Sequence, residues 1–424
     1  MGSTMTSSFG IDFGTSNSTV AALDAAGEPQ LVALEGDHVT LPSALFFDFE
    51  SDEVRCGRDA IGHYMAGTEG RLMRALKSVL GSALMKETTR IKARRYAFPE
   101  IIGLFIAQLR SRTEVALGVP CEQAVVGRPV RFVDDDDAAD AEAQAQLEQA
   151  FRDQGFAHVE FQFEPIAAAL DYERGVEREE LVLVADLGGG TSDFSVIRVS
   201  PDRRSKIDRA ADILSTGGVH IGGTDFDRLL SMASVMPELG LGTETKDGKR
   251  HLPVAPYYNL STWHRVNQLY TAQAQRELRE TAREAEAAER VALMVELVED
   301  RRGHALIGAV EDAKIALSQA PEVAFAFPVR EDLLSARMSI EAFDDALGKA
   351  VAKLTGTVAD VIASAGISRD TIDAVLLTGG STQVPTVLAG LEAALPGAKL
   401  VRTDVFGSVG QGLALEARRR FGQS

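Results

Sequence analysis

Apolar and polar positions along the chain repeat one local pattern twice. Near the middle an unbroken apolar run, Leu181-Val-Leu-Val-Ala185, reaches Asp186. It passes through Leu-Gly-Gly-Gly-Thr-Ser to Asp193 and gives way to an alternating stretch, Phe194-Ser-Val-Ile-Arg-Val199. Strand, glycine turn and strand predict a β-hairpin. The segment Phe9-Gly-Ile-Asp-Phe-Gly-Thr-Ser-Asn-Ser-Thr-Val-Ala-Ala-Leu23 has the same grammar, and Asp12-Phe-Gly-Thr15 echoes Asp186-Leu-Gly-Gly189. A repeat spaced near half the chain predicts two related lobes.

The rest of the pattern fills in around the hairpins. Leu41 to Phe47 predicts a strand, Arg71 to Leu80 has helical periodicity that stops at Gly81, and Pro99 to Leu117 predicts a second apolar helix. Residues 41–118 therefore read as a subdomain inserted into the first lobe. Ala124 to Val130 predicts a strand running into a loop, mirrored later by Ala374 to Pro385, where strand, Gly-Gly-Ser-Thr turn and helix succeed one another. The run Asp134 to Asp137 reads as the acidic start of an Ala- and Gln-rich helix rather than as a metal site, because carboxylates there favour the macrodipole. A further helix is predicted from Pro165, with Glu164 at its loop-to-helix junction. Gly217 to Asp227 is a second glycine-rich loop opening a helix, and Arg265 to Arg302 reads as a solvated helical hairpin capping the second lobe. Glu311, Lys314, Ile315 and Ser318 share one helix face, which suits either a nucleoside or a lobe boundary. Asp404 to Gly412 leads into a last helix.

Candidate chemistry sharpens the hairpins. Three successive glycines, Gly188, Gly189 and Gly190, let backbone N–H groups crowd round an anion. Asp186 before the turn and Asp193 after it add carboxylates, a combination suited to a phosphate held with a divalent metal and its waters. It is not a P-loop, since no Gly-Lys-Ser/Thr follows and the next element is a strand. Composition adds bounds. The 424 residues carry a net charge of −18, a field that repels nucleic acid and anionic membranes. Two cysteines, Cys56 and Cys121, argue against a disulfide framework and fit a reducing cytoplasm. Met1 to Ser8 lacks the basic and apolar regions of a signal peptide, and no apolar stretch reaches membrane-spanning length.

Five elements in order resemble the actin-like ATPase superfamily: Asp12-Phe-Gly-Thr-Ser-Asn17, Glu164-Pro-Ile-Ala-Ala-Ala169, Asp186 to Asp193, Gly222-Gly-Thr-Asp-Phe-Asp227 and Gly379-Gly-Ser-Thr382. Within it the chain is similar to the nucleotide-binding domain of heat-shock protein 70 chaperones of DnaK type. Its length, the Met236 to Gly242 loop and Phe161 to Pro165 look most like the short YegD-type putative chaperones. The resemblance implies an α/β fold of two duplicated lobes, about 8–182 and 183–403, each with a five-stranded mixed sheet flanked by helices. Helical residues 231–310 would be inserted into the second lobe, and a helix over about 404–424 would return to the first. It implies ATP or ADP with Mg²⁺, held through Asp12 and Asp186. Gly14, Thr15, Ser16, Asn17, Gly188, Gly189, Gly190 and Thr191 would bind phosphates. Gly222, Gly223, Glu311, Lys314, Ile315, Ser318, Gly379, Gly380, Ser381, Gln383 and Asp404 would surround the remainder of the nucleotide. Lys77, Glu164, Asp186, Thr191 and Asp193 would carry slow hydrolysis, with Lys77 positioning the attacking water; read alone, Lys77 is a polar position on an amphipathic helix. Two departures stand out. Ile315 and Gln383 occupy the places of the family's adenine-sandwiching arginines, implying weaker or less selective base binding. No β-sandwich peptide-binding domain is recognisable either, so the expected activity is a nucleotide switch read by an unidentified protein partner or client. A small-molecule kinase of sugar type and a non-hydrolysing nucleotide sensor or filament protein are the alternatives.

Overall fold

The computed structural model describes residues 8–133, 136–404 and 407–422. Asp134 and Asp135 of the acidic run, and Val405 and Phe406 before the last helix, lie outside the described residues. The run's next residue, Asp136, caps helix Asp137–Asp153, accepting from the Ala138 and Ala139 amides.

Both hairpins form where the pattern places them. Strands Ser8–Phe13 and Asn17–Leu23 pair antiparallel, with Asp12 opposite Thr19. Strands Glu180–Leu187 and Ser192–Val199 do the same, with Asp186 opposite Asp193. Each hairpin's first strand then lies at the centre of a mixed sheet. In the first sheet it runs parallel to Gln123–Arg128, which runs parallel to His158–Phe163. In the second the matching strands are Ala374–Thr378 and Lys399–Arg402. The outer antiparallel strands, Pro29–Leu31 and Ile213–Val219, complete the duplication. The first sheet has six strands rather than five. Pro29–Leu31 covers only the far end of the seven-residue strand Asn17–Leu23, and Thr40–Pro42 takes up its near end. A strand edge left unpaired beside a buried core would strand its backbone polar groups.

Helix Phe98–Leu117 lies under the first sheet, and Phe105 packs on Phe13 at a ring separation of 5.7 Å. Helices Gly223–Leu230, Gly303–Leu317, Ile340–Ser364 and Pro385–Ala394 share a core with the second sheet. Between the sheets run helices Glu164–Gly175 and Ser408–Phe421, whose Ile166, Ala168, Leu413 and Ala417 form a third core with Val125, Val184 and Leu376. These two helices approach so closely that a side chain at Gly412 would collide with the Ala167 carbonyl. A buried ionic cluster fixes the far end of helix Glu164–Gly175: Arg209 donates to both Glu173 oxygens at 2.8 and 2.9 Å and also pairs with Asp212.

The helix expected over Arg71 to Leu80 is absent. Gly70–Arg74 is a strand pairing with Ala44–Asp48, Leu72 opposite Phe46 and Met73 opposite Leu45. Ala75 then turns left-handed (φ 54°), and Lys77 sits in a short 3₁₀ turn, Leu76–Val79. Cross-strand packing of Leu72 and Met73 overrides a helical spacing that is only ten residues long. Among the described residues no helix is long and apolar enough to cross a membrane.

Candidate functional site

The two hairpin turns meet. A Cβ on Gly189 would lie 2.6 Å from Ser16 Oγ, so the turn of one sheet touches the turn of the other. Each turn is buttressed from behind. Ser43, which the sequence reading passed over, donates its hydroxyl to the Gly14 carbonyl at 2.7 Å and its amide to the Ser16 carbonyl at 2.9 Å. On the other side the Gly188 carbonyl accepts from the Gly223 amide and the Ser381 hydroxyl, each at 3.0 Å. The Gly189 carbonyl accepts from the amide and hydroxyl of Thr224 at 2.8 and 2.9 Å. The Gly188 and Gly189 carbonyls are thereby committed to the protein. The Gly189 and Gly190 amides have no acceptor among the described residues, which suits an anion. Gly222 has to be glycine, since a Cβ there would stand 2.6 Å from the Gly190 nitrogen.

Charge converges beneath the turns. Lys77 forms an ion pair with Glu164, both largely buried. Burial pushes the Asp12 carboxyl up to about 7, with Glu164 adding to the shift and Lys77 opposing it. Asp186 is pushed up to about 8 by burial and by the charges of Glu164, Asp193 and Asp12. Burial also raises Asp193, against the Thr191 hydroxyl that donates to it at 3.1 Å. Burial alone would lower the Lys77 ammonium, but the fields of Glu164, Asp12 and Asp186 outweigh it and hold the ammonium above its ordinary value. The five groups thus form one electrostatic unit drawn from four elements: both hairpins, the 3₁₀ turn and the start of helix Glu164–Gly175. Among the described residues no three His, Cys, Asp or Glu side chains are grouped closely enough to hold a metal alone. Asp12 and Asp186 are hard oxygen donors raised by desolvation, and such a pair fits Mg²⁺ that completes its shell with water and phosphate.

The helix face expected to meet the base is less uniform than its spacing suggests. Lys314 turns inward. Its ammonium is buried, 2.6 Å from Asp227 Oδ1 and 3.3 Å from the Gly223 carbonyl. Burial pushes Asp227 up to about 7 despite that partner. Ser318, just past the helix end, donates its hydroxyl back to the Lys314 carbonyl. Glu311 and Ile315 point outward, Ile315 being 55% exposed. Gly379, at φ 84°, abuts the Leu187 backbone and Asp186, and Gly380–Gln383 form a 3₁₀ turn that buries Ser381 and leaves Gln383 exposed. Asp404 is exposed, and its carbonyl accepts the Gly407 and Ser408 amides ahead of the last helix.

The inserts also meet, which no sequence signal foretold. The Tyr64 ring packs on His304 at 4.8 Å, and Asn267 donates to the Tyr64 hydroxyl at 3.0 Å. His304 packs on Trp263 at 4.8 Å and shares a 3.0 Å hydrogen bond with its carbonyl, while the Arg74 guanidinium covers the Trp263 ring at 4.5 Å.

Two duplicated α/β lobes with facing glycine turns and a buried acid–lysine centre between them define a protein of the actin-like ATPase fold. The match to known families narrows this. The family described as Hsp70 protein matches residues 8–237 and 287–412. The chain belongs to the Hsp70 family, and it has the architecture of an Hsp70-type, ATP-binding, chaperone-like nucleotide-binding domain.

Proposed function

We propose that this protein is a Mg²⁺-dependent ATP switch, which binds ATP between its lobes and hydrolyses it slowly to ADP and phosphate. The lobes are residues 8–182 with the returning C-terminal helix, and 183–403. The observation that carries the reading is the meeting of the two turns, whose flanking carboxylates Asp12 and Asp186 share one electrostatic centre with the Lys77–Glu164 pair. Phosphoryl transfer to water needs positioning and charge neutralisation rather than covalent help. Thr15, Ser16 and Asn17 from one turn, and Gly188 to Thr191 from the other, would cradle the phosphates. Mg²⁺, held by Asp12 and Asp186 through water, would neutralise phosphate charge. Lys77, kept protonated by its acidic neighbours, would orient the attacking water, with Glu164 fixing the ammonium and Asp193 accepting a proton nearby. Ligands that touch both turns stabilise the closed state only while they bridge them, so loss of the terminal phosphate loosens the clamp. An unidentified protein partner or client would read that change.

The test is phosphate release without any acceptor, with Mg²⁺ and with the metal chelated. Slow, Mg²⁺-dependent release supports the reading. ADP formation only on addition of a sugar would instead make the protein a kinase.

A further inference from the structure

Glu164 reaches Lys77 from the first residue of helix Glu164–Gly175, and no side chain caps that helix. The junction is held instead by the neighbouring strand. Arg128 is the cross-strand partner of Phe163, the residue just before Glu164. Its guanidinium lies 5.2 Å from the ring centres of both Phe163 and Phe132. It donates to Asp140 at 2.7 Å, to Gln144 at 2.5 Å, and to the carbonyls of Pro129 and Val130 at 3.0 and 3.2 Å. Asp140 in turn accepts the Phe132 amide at 2.6 Å. One residue back, the Glu164 stem fills the space over Gly127, its Cγ 3.1 Å from where a Cβ would stand.

We propose that Arg128 is a positioning residue for Glu164. By holding Phe163 against the strand, it fixes the point from which the Glu164 carboxylate reaches Lys77. A planar guanidinium does this where an ammonium does not, because it covers a ring with its face while its edge serves several acceptors. The clamp stands on geometry alone, whereas its consequence for turnover rests on the ATPase reading.

Arg128→Gln and Phe163→Leu approach the clamp from its two sides, so that one variant decides if the other fails to fold. Each is expected to lower single-turnover phosphate release about tenfold or more, since small misplacements near a reacting centre are costly. The ATP dissociation constant should stay within about twofold of the wild type, and Arg128→Lys should recover little activity. In a Glu164→Gln background, Arg128→Gln should add less than about a twofold further loss, because it acts only through Glu164. Losses that multiply in the double variant would overturn the proposal, and so would a lowered melting temperature with unchanged phosphate release. If the wild type releases no phosphate, the ATPase reading fails, and the clamp is then judged by NMR titration of the Lys77 ammonium. A fall in its pKa in Arg128→Gln upholds the clamp, and an unshifted titration refutes it.

Discussion

At the scale of single residues, the buried carboxylates set the pH behaviour. Asp12 and Asp186 are raised to about 7 and about 8. Between their unfolded values and these, the folded protein holds protons that the unfolded chain lacks, so stability falls as pH rises through this window. The melting temperature of the ligand-free protein should therefore drop from about pH 4 to about pH 8, and Asp186→Asn should remove part of the underlying loss of unfolding free energy, on the order of 1–3 kcal/mol. In the proposed switch Mg²⁺–ATP would need the ionised forms, so its affinity, measured by calorimetry, should rise across the upper half of the same window. Affinity independent of pH would mean that these carboxylates do not meet the metal. At the base end, Ile315→Arg should tighten ATP binding by about 0.5–2 kcal/mol through stacking; an unchanged dissociation constant would show that the base lies elsewhere. The pairing of Asp186 with Asp193, and the echo in Asp12, were legible because a glycine turn has few meanings. The inward turn of Lys314 was not. Its spacing puts it on the Glu311 face, and only the fold brings Asp227 beneath it.

At the scale of elements, helix Glu164–Gly175 links the centre to the lobe boundary. Its first residue pairs with Lys77 of one lobe, and Glu173 near its last turn is gripped by Arg209 of the other. Both Glu173 and Arg209 are almost fully buried, so Arg209→Met, which leaves Glu173 without a cation and with only the Ser200 amide, should cost about 3–5 kcal/mol. Urea denaturation measures this, and a loss below about 1 kcal/mol would mean that water or another cation takes over. The strand–turn–strand units could be read from the chain because apolar runs beside glycines have one economical fold. The Arg71 to Leu80 segment could not, since its apolar residues suit a helix or a strand edge equally until Ala44–Asp48 is there to pair with it. Ser43 escaped because its partners, Gly14 and Ser16, are distant in sequence, and Arg128 because neither its near partners nor Phe163 carries a recognisable motif.

At the scale of the molecule, the duplication was visible in outline, and the sheets repeat it strand for strand apart from Thr40–Pro42. The contact between the inserts was invisible, being made of single residues far apart in the chain. Trp263 and Asn267 lie outside the residues matched to the family, whereas Tyr64 and His304 lie within them. Helix Gly303–Leu317 carries both His304 and the outward-facing Glu311 and Ile315, so in the proposed switch this contact would bear on nucleotide escape. Removing a ring pair and a hydrogen bond is worth roughly 1–2 kcal/mol. Tyr64→Ala should accordingly speed release of a fluorescent ADP analogue about tenfold in stopped flow, and an unchanged rate would show that the inserts do not gate the cleft. In the proposed switch the facing turns present ATP to water held by Lys77. Single-turnover phosphate release by Lys77→Ala, alongside ATP binding by the same variant, tests it most directly. Release should be abolished while ATP binding is retained; release at the wild-type rate would contradict this role of Lys77.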